Sequence, residues 1–468
     1  MKKTMKIICC ILLIIPLLMW NAHALKDVPE GLSMDGNVYY ADQLEFLTDL
    51  TYEKNGTRVH EQQLFKRGLQ IINEAEKVLV VDLFLFNDDY NHSTSTFDNR
   101  AEQLTDALIE KKEATKDLHV TVITDPINSA YQSSPSLLLQ RLKEAGIDVV
   151  ETDLTKLKDS NPLYSSVWRS YLQWIPTSTN GLFPNAFNKD KKMSLGAYLD
   201  LVNFKANHRK VLLNDHEALI ASANISHDGS SLHSNIGFVV QGAILNDLYA
   251  SENAILKMMG QSLPKHTFTQ QADGEIETKI ITEGAIGNVL VNTVKRANKG
   301  DAIQIGVFYL ADRPFINELK AAAKRGVSIQ LVLDANRDAF GLKKNGIPNR
   351  PVAAELSKEP SIDIRWYDTK GEQYHSKFLL LKQGDELTVV GGSANFTKRN
   401  LRDFNLETDL YAKLPVEHDT AQQLLTYYNQ IWNNIDGNYT VSYETYGEKI
   451  WWKTVLYHIQ EFTGLSTF

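Results

Sequence analysis

Two histidines hold the most reactive arrangement in this chain. His208 stands in Asn207-His208-Arg209-Lys210-Val-Leu-Leu-Asn214-Asp215, and His375 in Tyr374-His375-Ser376-Lys377-Phe-Leu-Leu-Leu381. In both, histidine and lysine are one residue apart at the opening of an apolar run that reads as a strand, so the two-residue side-chain period turns them to the same face. An imidazole there can attack phosphorus or carry protons near neutral pH, while the ammonium beside it holds a phosphate oxygen. A phosphate diester needs positive donors for two oxygens, a nucleophile for phosphorus and an acid for the leaving oxygen, and two His-Lys pairs supply all of these. This chemistry requires no metal and no cofactor.

Each pair is followed by a second apolar run ending in Ser-Ala-Asn: Ala221-Ser222-Ala223-Asn224 in the first copy and Gly391-Gly392-Ser393-Ala394-Asn395 in the second. The hydroxyls and amides of Ser222, Asn224, Ser393 and Asn395 are candidate phosphate donors. A single His-x-Lys is common on surface strands and carries no chemical meaning by itself. Its recurrence in one register of a repeat does. Further on, Asn405-Leu406-Glu407 is matched by Asn235-Ile236-Gly237, so only the second copy keeps a carboxylate able to orient an imidazole. His216, His227 and His233 read as polar loop or surface residues. Asn224 and Asn395 fit a glycan acceptor pattern but belong to the phosphate motif.

The elements that must position these residues also occur twice. An amphipathic stretch at Glu61 to Ala75 leads to a strand at Lys77 to Phe86, as Ala285 to Ala297 leads to Ala302 to Leu310. Helix Arg100 to Lys111 and strand Leu118 to Thr124 match helix Ile316 to Lys324 and strand Val327 to Leu333, with Asp125 and Asp334 at the strand ends. A third helix and strand follow in each copy, Leu137 to Ala145 with Ile147 to Val150, and Val352 to Ser357 with Ile362 to Trp366. This alternation predicts an α/β fold with mixed, largely parallel sheets covered by helices on both faces. The first copy alone carries an insertion, residues 152–206, with Tyr164, Trp168, Tyr171, Trp174, Phe183, Phe187 and Tyr198 among lysines and an arginine. Such a segment suits either a subdomain with its own small core or a membrane interface that grips acyl chains. The tail from Glu448 shows Ile450, Trp451, Val455, Ile459 and Phe462 at helical spacing, which fits packing on the second domain or a membrane-surface helix.

At 468 residues, 43% hydrophobic and 23% charged, the chain exceeds the length at which a single core usually divides. A net charge of −8 gives no long-range attraction to polyanions and argues against nucleic acid as partner. Lys2, Lys3 and Lys6 precede an apolar run from Ile7 to Trp20 and the small-residue site Ala22-His23-Ala24, the pattern of an export signal. The run is shorter than the roughly 20 residues of a membrane span, which favours cleavage over an anchor that stays. The two cysteines, Cys9 and Cys10, fall inside it, so the mature chain has no thiol and no disulfide.

With these motifs in place, the chain resembles the phospholipase D superfamily, whose repeated signature is His-x-Lys, four residues, Asp, then a Gly-Ser or Gly-Gly-Ser stretch ending in Asn. The resemblance implies two pseudo-twofold-related α/β/α sandwich domains, one active site at their interface and a phosphohistidine intermediate. By that analogy His208 is the nucleophile, His375 the acid for the leaving alcohol, and Lys210, Lys377, Asn224 and Asn395 the phosphate ligands; Asp215 and Glu407 complete the candidate catalytic set. Lys382 stands where the second copy should have its Asp. The implied layout is a signal over 1–24, a first domain over 25–265, a second over 266–440 and a helical tail over 441–468. The implied protein is an exported monomer, secreted or on the outer face of the cytoplasmic membrane, acting on phospholipid by hydrolysis or by cardiolipin synthase-type transfer. An exported nuclease of the same family and a lipid-binding scaffold without turnover are the alternatives.

Overall fold

The computed structural model describes residues 14–22, 26–90, 92, 96–185, 188, 191–269, 274–339, 342–447, 450–466 and 468. Most of the predicted signal, including its lysines and cysteines, lies outside the described residues, as do Phe187 and Glu448. Residues 14–22 are helical, and among the described residues no helix is long and apolar enough to cross a membrane.

Runs of Val, Leu and Ile form the strands that organise both halves. Val78–Leu83 pairs in parallel with His119–Thr124, which pairs in parallel with Asp148–Glu151. On its other side Val78–Leu83 is antiparallel to Lys210–Asn214, and the sheet continues through Glu217–Ala221, Asn235–Gln241, Glu45–Lys54 and Thr57–Gln62. The second sheet repeats this order: Ile362–Tyr367, Ser328–Asp334, Ala302–Val307, Lys377–Gln383, Glu386–Gly392, Thr408–Pro415 and Ile276–Thr282. The expected mixed α/β architecture is therefore present in both halves. Two short strands extend the edges of the second sheet, Tyr39–Ala41 on Ile276–Thr282 and Thr440–Ser442 on Ile362–Tyr367. The first of these brings the N-terminal part of the chain onto the second half.

Alternation along the strands divides the interior into layers. Leu79, Val81 and Leu83 face an outer core with Leu64, Ile71, Leu104 and Leu142, residues of the helices Leu64–Glu74, Arg100–Ala114 and Leu137–Glu144. Ile303, Ile305 and Val307 face a second outer core under the helices Glu283–Arg296, Arg313–Lys324 and Asn349–Leu356. The inner faces of both sheets meet in a single shared core, where Val80, Val211, Ile220 and Phe238 from one sheet join Phe378, Leu380, Val389 and Leu410 from the other. The helices Ile244–Met258 and Asp419–Asn433 contribute Leu248, Ile255, Leu424 and Tyr428 to it. Each such side chain contributes about 1.5–3 kcal/mol by leaving water, which makes the two halves one cooperative body.

The shared core is where the halves differ. In the first, fully buried Arg209 donates to Glu252 at 3.1 Å and to Glu283 at 2.6 Å, and Asn207 donates to Asp82 at 2.8 Å. The pairing of Lys210 with Leu83 and of Lys377 with Val307 places Gly306 at the position of Asp82 and Tyr374 at that of Asn207. Tyr374 stacks on Tyr367 at 4.4 Å, and a Cβ on Gly306 would collide with the Tyr374 hydroxyl and the Phe378 ring. A polar network on one side is thus answered by an aromatic stack on the other. Gly306→Ala is expected to destabilise the fold by about 1–3 kcal/mol through overpacking, seen as a lower urea midpoint with an unchanged slope.

Candidate active site

His208 and His375 precede the central antiparallel strand of each sheet, and each is tied by its backbone to the opposite half. His208 N donates to Leu406 O at 2.9 Å, and His375 N donates to Ser234 O at 2.8 Å. One residue earlier, Asn207 N donates to Asp125 Oδ2 and Tyr374 N to Asp334 Oδ2, both at 2.8 Å. The acids that end the parallel strands therefore pin the two histidine segments; burial raises both carboxyls to about 7 against the pull of these N–H donors. Under the histidines lie Phe84 and Phe308, with ring centroids 4.9 and 5.2 Å from His208 and His375. The same rings carry Lys210 and Lys377, whose Nζ atoms sit 5.3 and 5.7 Å from the centroids.

The imidazole nitrogens reach across the interface. His208 Nδ1 lies 3.0 Å from the Glu407 carboxylate of the second half, while His375 Nδ1 lies 3.2 Å from Asn235 Oδ1 of the first. Glu407 is held in turn by the Ser393 hydroxyl and the Asn400 amide, and Asn235 Oδ1 accepts from Ser222 Oγ at 3.2 Å. Strand register corrects the alignment drawn from sequence. Ala221 pairs with Gly237 and Gly392 with Asp409, so Gly237 corresponds to Asp409, and the counterpart of Glu407 is Asn235. The first half has an amide where the second has its acid. Asn405, matched by sequence to Asn235, instead accepts from Ala206 N at 3.1 Å.

The other candidate residues divide by position. Asn224 and Asn395 are buried, and in both the Oδ1 atom has no hydrogen-bond partner among the described residues, so each amide keeps unused hydrogen-bonding capacity. Ser222 and Ser393, expected as phosphate donors, are fully buried and engaged with Asn235 and Glu407; they hold the groups that orient the histidines. Asp215 does not join the site. It lies past the far end of strand Lys210–Asn214 and accepts from Glu76 N at 2.7 Å and Lys77 N at 2.8 Å, fixing the chain that leads into Val78–Leu83. In the second half Lys382 extends from the strand into solvent, and Asp301 accepts from Asn298 N at 2.9 Å and Gln383 Nε2 at 2.7 Å. The stabilising acid has moved to the neighbouring loop.

Sequence reading missed two residues. His233 is buried, with its ring 5.9 Å from that of His375, and Asn235 orients His375 directly. The available signal was their spacing at the start of strand Asn235–Gln241, two residues apart like Asn405 and Glu407 just before Thr408–Pro415. His227 is also buried, bonded to Ser230 and the Asp89 carbonyl, whereas His216 is exposed as expected.

Four basic groups converge here among the carboxyls of Glu407, Asp409, Asp82, Asp125 and Asp334, and burial raises all of these but Glu407 toward their neutral forms. Burial lowers His208 to about 4, with Lys210 and Lys377 adding to the effect and Glu407 opposing it. Burial lowers Lys210 to about 7. His375 and Lys377 are held well below their ordinary values, first by burial and then by the neighbouring cations, including Lys210 in both cases. Burial acts to raise Glu407, and His208, Lys210 and the Ser393 hydroxyl together outweigh it, leaving the carboxyl below its usual value. The result is a buried basic centre whose groups would regain protons beside an anion.

Residues 290–432 match the family model described as "Cardiolipin synthase, PLD-like domain". The phosphatidylserine synthase of Haemophilus influenzae Rd KW20 shares the fold, with a TM-score of 0.55 over 95% of this chain and 97% of its own at 10% identity. Slighter likenesses, which carry no argument, are to the polyphosphate kinase of Porphyromonas gingivalis (TM-score 0.44, 84% of this chain, 47% of that one, 14% identity) and to Nuc of Salmonella typhimurium, a phospholipase D family member (TM-score 0.27, 35% and 98%, 19% identity). No curated protein sequence matches.

Binding of tungstate near pH 8 is expected to take up protons, because Lys210, at about 7 in the free protein, is largely neutral there and an anion favours its charged form; the heat of binding will then vary with the ionisation enthalpy of the buffer. Asp215→Ala is expected to cost about 1–3 kcal/mol of stability by stripping backbone N–H groups of their acceptor. Activity per folded molecule should stay unchanged, as read from thermal melts beside turnover.

Proposed function

We propose that this chain, a phospholipase D-like protein by its 290–432 domain and its fold, is a phosphodiesterase or phosphatidyltransferase that acts on phospholipids through a phosphohistidine. The observation that carries this reading is the exchange at the interface: each half supplies a His-Lys pair, and the other half supplies the group behind its histidine. Two imidazoles are thereby oriented through Nδ1, which leaves both Nε2 atoms available for the substrate.

The difference between the two orienting groups assigns the roles. Attack by an imidazole on phosphorus leaves the ring cationic, and Glu407 stabilises that charge on His208 where an amide would not. His208 is the nucleophile in this reading. His375, backed by Asn235, protonates the leaving headgroup alcohol and then takes the proton of the incoming one. Lys210, Lys377, Asn224 and Asn395 hold the phosphoryl oxygens as charge develops. Water as second nucleophile yields phosphatidic acid, and a lipid alcohol yields the transferred product. Export by the predicted signal belongs to the same proposal and is checked by the N-terminus of the mature protein, expected at Leu25.

Turnover of mixed phospholipids is expected to survive a chelator and to fall about a thousandfold or more in His208→Ala. His375→Ala should still release a burst of nitrophenol from an activated nitrophenyl diester, which needs no acid, while His208→Ala gives none; the opposite pattern would exchange the roles.

The pH dependence follows from the lysines and from His375. Binding needs Lys210 protonated, so kcat/KM on the nitrophenyl diester, which needs no acid, is expected to fall as pH rises through about 7, the value of Lys210 in the free protein. Asn235→Asp places a carboxylate behind His375 and raises its pKa. Because headgroup release loses this acid on the alkaline side, the fall set by His375 should move to higher pH, measured as kcat/KM on a short-chain phospholipid, whose alcohol leaving group needs the acid.

A further inference from the structure

Outside the predicted signal, large hydrophobic side chains in contact with solvent concentrate in two segments far apart in sequence. In the insertion, Trp174 is 70% and Leu182 83% exposed; in the C-terminal helix Trp451–Thr463, Trp451 is 76% and Phe462 79% exposed. The helix has the wrong side outward for a core element. Its apolar stripe Trp451, Val455, Ile459 and Phe462 faces water, while attachment to the second half runs through Tyr457, whose hydroxyl donates to Ala311 O at 2.8 Å.

The two segments meet beside the catalytic residues. Gly464, which ends the helix, packs so tightly on the Ser160 carbonyl that a Cβ has no room. Arg399 donates to the carbonyls of Gly464 and Ser466, and its guanidinium lies 5.5 Å from the ring of Phe204 at the end of the insertion. The next residue, Asn400, donates to Glu407, and four residues past Phe204 stands His208. The ends of both segments therefore lie within a few residues of Glu407 and His208. Although the chain as a whole is acidic, this region presents Lys156 and Lys192 to solvent with Lys158 and Lys398 half-buried, and Asp159 between them is buried and neutralised by Arg169 and Lys205.

We propose that the insertion and the C-terminal helix form one docking surface that seats the protein on an anionic phospholipid bilayer, with headgroups presented to His208 and His375. This rests on the lipid reading of the site. Exposed tryptophans suit the headgroup layer, where an apolar ring and a polar N–H are both accommodated, and the lysines complement anionic lipid. A substrate that resides in a bilayer also requires the membrane to lie against the mouth of the site.

The test is flotation of the full mature chain with phosphatidylglycerol–phosphatidylcholine vesicles and with phosphatidylcholine alone. Trp451→Ser with Phe462→Ser, and separately Trp174→Ser with Leu182→Ser, are each expected to weaken binding to the anionic vesicles about tenfold, and the four together to abolish it. Soluble-diester turnover and the melting temperature should stay unchanged, which separates lost docking from lost folding. Undiminished vesicle binding in the fourfold variant overturns the proposal. So does a dimer in the parent that the variant dissociates without any vesicle binding, since the face would then belong to a second copy. If no diester is ever turned over but the vesicle results hold, the catalytic reading fails and the docking surface stands.

Discussion

Holding two lysines and two histidines dry around one point is the constraint that organises this molecule. Like charges in a low-dielectric interior repel, and burial opposes each charge by itself, so the cluster is tolerable only in forms largely stripped of protons or beside anions. The fold supplies few anions at the centre. Glu407 stands closest, while Asp125 and Asp334 bind the backbone just before each histidine and are themselves pushed toward neutrality. Such a centre favours a ligand that carries negative charge. The repeated sheets, the shared core and the pinned strand ends all serve to keep these groups in place against their mutual repulsion.

Pseudo-symmetry provides the placement, and departures from it provide the chemistry. Backbone contacts at His208 and His375 are nearly interchangeable, as are Phe84 and Phe308 beneath them. Behind the strands the equivalence ends. Arg209 with Asp82, Glu252 and Glu283 fills in the first half the volume that Tyr374, Tyr367 and Gly306 occupy in the second. Glu283 extends that network across the interface, since one carboxylate oxygen accepts from both Arg209 and Glu407 N. The carboxylate behind His208 is consequently carried by a backbone that the first half helps to fix, and Asn235 has no such charged support.

Much of this was legible in the sequence because local rules decide it. The His-Lys pairs open strands whose alternation is plain, and the repeat placed them in equivalent positions before any contact was known. What stayed hidden depended on register. Asn405-Leu406-Glu407 and Asn235-Ile236-Gly237 look equivalent as strings, yet the pairings of Gly392 with Asp409 and Ala221 with Gly237 shift the match by two residues. Which histidine Glu407 meets is likewise a matter of how the sheets face each other. Ser222 and Ser393 are hydroxyls in a phosphate-like motif, and only packing shows them turned inward. The hairpin Glu45–Gln62 and the edge strand Tyr39–Ala41 lie outside the repeat that guided the reading, and so went unassigned.

The crossed arrangement behind the histidines bears on how the protein comes into being. Since Glu407 and Asn235 each serve the histidine of the other half, a nascent chain that has folded its first domain holds His208 without its carboxylate and lacks His375 altogether. Chemical competence then arrives in a single step, late in synthesis, when strand Thr408–Pro415 enters its sheet and the two halves close. A centre built this way has no precursor with both histidines oriented, and closure of the two halves is the event that completes it.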